Sequence, residues 1–177
     1  MTFAKPFGNS FDNLIRIGQG NPEAIAGLLE VIRTTKNEVT LRLAAESLGT
    51  IDPGNPDAIA GLLELLHTTE HEFTRCQAAK SLWKIDPGNP EAIAALVNLI
   101  ATTEDENTRS LVAHSLGEID PGNPEAIAAL VNLIATTEDA DTRKYAAQSL
   151  GKILTTRQQY AGVVSALKYC LSDEVYQ

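Results

Sequence analysis

One stretch of this chain is written four times. Ile85-Asp86-Pro87-Gly88-Asn89-Pro90-Glu91-Ala92-Ile93-Ala94 returns as residues 51–60, with Asp57 for the Glu, and as residues 119–128. A degenerate copy, Ile17-Gly18-Gln19-Gly20-Asn21-Pro22-Glu23-Ala24-Ile25-Ala26, opens the series. The asparagines fall at 21, 55, 89 and 123, so the period is 34. A fixed period of this size marks a solenoid. Each unit then packs on its neighbours, and the core is spread along a line.

Within a period the residues spell helix, short loop, helix. Helix A opens on Asn, which caps by accepting from free backbone N–H groups. Pro follows at a position whose N–H has no partner in any case, and an acid in the first turn complements the helix dipole. Apolar residues then recur at helical spacing, as in Ile59, Leu62, Leu63 and Leu66. Thr34-Thr35, Thr68-Thr69, Thr102-Thr103 and Thr136-Thr137 form the loop. Helix B starts near Asn37, His71, Asp105 and Asp139, or at a capping box such as Thr35-x-x-Glu38. It carries Ala-Ala-x-Ser-Leu-Gly-x-Ile, as at 44–51, and Asp-Pro-Gly stops it.

The expected fold is therefore all-α, an α-solenoid of helix pairs with about nine to eleven helices. It is one domain, 1–177, with four full repeats (21–54, 55–88, 89–122, 123–156) and a cap at each end. Residues 1–20 form the N-terminal half repeat, because Asn13-Leu14-Ile15-Arg16-Ile17 lines up with Ser81-Leu82-Trp83-Lys84-Ile85. Phe3, Phe7 and Phe11 are placed to cover that end of the stack. Residues 157–177 form the C-terminal capping helix, with Tyr160, Val163, Val164, Leu167 and Leu171 in one stripe and Lys168, Asp173 and Glu174 toward water.

Composition narrows the function. A net charge of −9 argues against a general affinity for nucleic acid, and equally against anionic membrane surfaces. The N-terminus shows no signal peptide and the chain no membrane span. The two cysteines, Cys76 and Cys170, have neither disulfide-framework nor zinc spacing and read as reduced thiols in a cytoplasmic protein.

Chemistry is sparse. An active site needs unlike groups converging at one place, whereas residues 89–105 and 123–139 are identical and repeat the same groups at stepped places. His67 and His71 have metal-ligand spacing but no third ligand, and read as solvated loop residues. Cys76, at a position that varies between copies, reads as a small side chain there, and His114 has no nucleophile beside it. The expectation is no enzyme, no cofactor and no metal.

The repeats resemble known families in part. No copy has the Trp-x-x-Leu-Gly-x-x-Tyr pattern of the tetratricopeptide repeat. The Ala-Ala-x-Ser-Leu-Gly-x-Ile helix, preceded by Thr-Arg at 74–75, 108–109 and 142–143, is similar to the second helix of a HEAT repeat. The wording of 89–100 and 123–134 resembles the repeat arrays that follow the NTPase module in cyanobacterial NACHT-domain proteins; the phosphate-binding loop of that module is absent here. The resemblance implies an interaction scaffold. It also implies a ladder between Asp105 or Asp139 and Arg75, Arg109 or Arg143, and B helices lining the concave side. An alternative by the same route is a bilin-lyase-like enzyme or chromophore-binding protein; a HEAT-fold DNA glycosylase is disfavoured by charge.

Between copies, one face of helix B varies. Projected at 100° per residue, Ala44, Ala45, Leu48 and Ile51 face the core, and Val39, Arg42, Glu46 and Gly49 face away. The varying residues nominate a binding surface of Phe73, Lys80, Trp83, Lys84, His114, Lys144, Tyr145 and Gln148. Trp83 is singled out because the other copies have Gly49, Gly117 and Gly151 there, and Trp is enriched in binding hot spots. The expected partner is a protein, and the chain itself a monomer or a weak self-associator.

Overall fold

The structure is a computed structural model that describes residues 21–118 and 121–173. The half repeat with its three phenylalanines, Ile119 and Glu174 lie outside the described residues. Nine helices and no strand are present among the described residues, packed as an α-solenoid. They are α1 (Pro22–Thr34), α2 (Glu38–Ile51), α3 (Pro56–Thr68), α4 (Glu72–Ile85), α5 (Pro90–Thr102), α6 (Glu106–Leu116), α7 (Pro124–Thr136), α8 (Ala140–Ile153) and α9 (Arg157–Asp173). Odd numbers through α7 are the A helices and even numbers the B helices. Contacts group the chain into two compact units, Met1–Ala92 and Ile93–Gln177.

Helix starts follow the caps. The Asn55 side chain accepts from the backbone N–H of Asp57 and Ala58, both at 3.1 Å, with Pro56 at the first helical position. Asn21 and Asn123 cap α1 and α7 in the same way. Of the two proposed starts for helix B, the later holds. Asn37, Asp105 and Asp139 are the caps, while Thr35, Thr69, Thr103 and Thr137 accept from the backbone N–H two residues on and turn the chain. In each pair the first Thr closes helix A: Thr34, Thr68, Thr102 and Thr136 donate to the carbonyl four residues back.

Gly54, Gly88 and Gly122 take positive φ (80°, 92°, 89°), which only glycine adopts without strain. That conformation aims the Gly54 N–H at the Ile85 carbonyl one repeat on (2.7 Å), and the Gly122 N–H at that of Ile153 (2.6 Å).

In the first unit, α1 pairs with α2 and α3 with α4. Laterally, α2 packs on α4 and α1 on α3. Leu48, Ile51, Leu62, Leu82 and Ile85 fill the seams and are fully buried. At roughly 25 cal/mol per Å² of apolar surface, each such side chain contributes about 1.5–3 kcal/mol. In the second unit α7 pairs with α8, α6 packs on α8 and α9 on α7, with Leu116, Leu130 and Ile153 buried.

Three expectations need correction. Gly49 and Gly117 do not face outward. A Cβ on Gly49 would sit 2.7 Å from the Ser81 Cβ, and one on Gly117 2.5 Å from that of Ser149. Both glycines let adjacent B helices touch. Cys76, projected onto the outer face, is buried. Third, α6 stops at Leu116, and Gly117 takes the cap, its N–H donating to the carbonyls of Ala113, His114 and Ser115. Of the stripe on α9, Val163 is buried while Tyr160 and Val164 are half exposed. The side chains of Leu167 and Leu171 lie outside those described.

Candidate interaction surface on the B helices

The first turn of each helix B is tied to its neighbours through polar contacts. Asp105 accepts from both the backbone N–H (2.9 Å) and the hydroxyl (2.7 Å) of Thr108. These bonds, the hydroxyl's first, hold its carboxyl below the usual carboxylate range. Asp139 is lowered likewise, chiefly by the backbone N–H of Thr142 at 2.6 Å.

The Asp–Arg ladder implied by the HEAT resemblance is replaced by two other linkages. Arg75, Arg109 and Arg143 each reach back to the carbonyl of the loop threonine of their own repeat, Thr69, Thr103 and Thr137. Between repeats, a glutamate at the start of helix B accepts from the next helix B: Glu38 from the Thr74 hydroxyl, and Glu106 from that of Thr142 at 2.9 Å. His71, which makes no side-chain cap bond, pairs with Glu38 at 3.1 Å. The aspartates are committed to capping, so the longer glutamates span the gap.

With the arginine one position later in the first copy, Arg42 has another use. Its guanidinium lies over the Phe73 ring, 4.5 Å from the centroid, and its buried Nε has no hydrogen-bond partner. Val39 and Phe73 stand 55% and 40% exposed beside it. With Leu43, Glu46 and Gln77 they line a shallow groove of about 200 Å³. Lys80 and Trp83 are half-buried further along α4, and Lys84 is exposed.

In the second unit, half-buried His114 pairs with Glu118 at 3.2 Å. Tyr145 is 40% exposed, and the Lys144 ammonium sits 5.9 Å from its ring centroid. Gln148 is exposed one turn on. The eight nominated residues thus fall into two sets of four, one per unit. Val39 and Arg42 were missed as candidates. The signal was present: positions 39 and 73 are equivalent in successive copies, and both are apolar at an exposed place.

A larger groove of about 610 Å³ lies on the A side of the second unit, lined by Val97, Ala101, Ala128, Ala129, Asn132 and others. Among the described residues no group of three or more His, Cys, Asp and Glu is placed to hold a metal ion. His67 pairs with Glu91 at 2.8 Å. No described helix is long and apolar enough to cross a membrane.

No curated protein matches the chain. The family model for HEAT repeats matches residues 14–83 and 60–151. Those matches together span more than half of the sequence, and they cover the Ala-Ala-x-Ser-Leu helices whose packing is described above. The chain belongs to the HEAT repeat family.

Proposed function

We propose that this protein is a non-enzymatic scaffold that binds a protein partner through the exposed face of its B helices. One observation carries the reading: along helix B, buried positions repeat and exposed ones do not. Ser47, Ser81, Ser115 and Ser149 are buried, as are Leu48, Leu82, Leu116 and Leu150. The exposed set Val39, Phe73, Asn107 and Asp141 runs from apolar to amide to acid, and Thr50, Lys84, Glu118 and Lys152 from hydroxyl to cation to anion. A regular frame with a changing surface is how solenoids build extended binding faces. Phe73, Trp83 and Tyr145 supply the aromatic anchors; Lys80, Lys84, His114, Lys144 and Gln148 supply donors. The wording of 89–100 supports kinship with the repeat regions of NACHT-domain sensors, and the absence of cysteine pairing supports a cytoplasmic setting.

The test is to exchange one face for another already used by this chain. A Phe73→Asn, Lys80→His, Lys84→Glu variant gives the second repeat the third repeat's side chains. Its thermal midpoint should stay within a few degrees of the parent, because each new residue occurs at that position in another copy. Capture of the parent's partners from source lysate, quantified by mass spectrometry, should fall at least about tenfold. Unchanged capture by the folded variant would refute the assignment.

A further inference from the structure

One cation of the first unit is left without a partner of opposite charge. In three copies the arginine of helix B, Arg75, Arg109 or Arg143, holds the loop of its own repeat. In the first copy Leu41 stands at that position and is buried, and the arginine comes one residue later as Arg42. Freed from the frame, its guanidinium forms no hydrogen bond or ion pair among the described residues, and its Nε is buried with no acceptor. It stacks on Phe73, 4.5 Å from the ring centroid. Glu46, one turn on, lines the same groove, and its carboxylate is likewise unpaired among the described residues. The lining residues, Val39, Arg42, Leu43, Glu46, Phe73 and Gln77, all belong to α2 and α4, two helices that pack on each other.

We propose that this groove receives one acidic side chain of a protein partner, flanked by apolar residues and by no second acid. The proposal rests on the reading of the B face as the interaction surface, and names what that face recognises there. A guanidinium and a carboxylate make paired, charge-assisted bonds in a fixed fork geometry. A fully exposed pair gains little, because both long side chains must be ordered and the charges stay screened by water. Arg42 is half-buried and held against an aromatic face, so much of that ordering is in place before a partner arrives. Val39 and Phe73, 55% and 40% exposed, offer apolar surface beside it. The volume of about 200 Å³ falls below the roughly 300–1,000 Å³ of small-molecule pockets and suits the side chains of a segment. Glu46 repels a second acid, and with the net charge of −9 it disfavours a polyanion such as nucleic acid.

The experiment is a nuclear magnetic resonance titration of the isotope-labelled whole chain, read at the Arg42 Nε–H signal, which is identified by its loss in Arg42→Gln. The probes are the peptide acetyl-Lys-Leu-Glu-Leu-Lys-amide and the same peptide with Gln for Glu, at about 0.15 M salt. The Gln peptide carries the higher positive charge, so general attraction to an acidic protein favours it. Recognition at Arg42 predicts the reverse: the Glu peptide should bind at least about tenfold more tightly. Arg42→Gln, followed through backbone signals of α2 and α4, should lose that preference. Glu46→Gln should bind a peptide with Glu in place of both Lys more tightly than the parent does. Equal binding of the Glu and Gln peptides by the parent overturns the proposal, and so does the absence of a response at Arg42 to either. An Arg42→Gln protein that keeps the preference overturns it as well. None of these results decides the B-face reading, whose own test uses a variant that keeps Arg42.

Discussion

Four glycines in this chain look alike as letters, in Ser-Leu-Gly at 49, 117 and 151 and in the Ala-Gly-Leu of residue 61, and differ in what surrounds them. Gly61 receives the Leu29 side chain of the preceding helix A. Gly49 touches Ser81 through both its Cβ and its Cα, so no rotamer change relieves a clash. Gly49→Ala should therefore cost about 1–3 kcal/mol, the usual cost of overpacking. Gly151→Ala meets open space in a helix and should stabilise by about 0.5–1 kcal/mol through backbone entropy. Urea melts of the two variants check this opposition of sign; equal effects would mean that the two positions share one environment. The sequence cannot separate them. A projection gives an angle on one helix, and the side facing the next helix B is assigned to solvent. Gly49 and Gly117 were misplaced for that reason.

At the scale of a helix, the starts were legible and the ties between helices were not. Asn-Pro at 21–22, 55–56 and 123–124 announces its own cap, because Asn and Pro there act on backbone groups within three residues. The bond from Glu38 to Thr74 joins residues 36 apart, and whether Asp or Glu bridges depends on a gap that no local pattern encodes. Caps also set the response to acid. Folded Asp105 and Asp139 bind protons more weakly than the ordinary value of 3.8. The unfolded chain therefore takes up protons first as pH falls. Their contribution is fully present above that ordinary value and is lost as pH drops below it through the folded-state value. The Asp105→Asn, Asp139→Asn pair keeps a capping side chain, as Asn37 does in the first repeat. Denaturation midpoints measured from about pH 5 to pH 2 should fall less steeply for it than for the parent. A parallel fall would assign the acid response to other carboxylates.

For the molecule as a whole, the period was the most legible fact. It carries the all-helical solenoid without reference to any single contact, because every unit must bury the same stripe on the next. What the repeats cannot specify is the partner, since that resides in the residues that break the repeat. The frame is tested most directly by removing parts of it. Deleting 89–122 takes out one period and rejoins equivalent positions, and so does deleting 106–139; deleting 106–122 takes out one helix and its following turn. Stability in such arrays is close to a sum of unit and neighbour terms. Urea unfolding followed by helical circular dichroism should show both one-period deletions folded and cooperative, with lower midpoints than the parent, and the half-period deletion without a cooperative transition. Equal tolerance of all three would contradict the repeat frame.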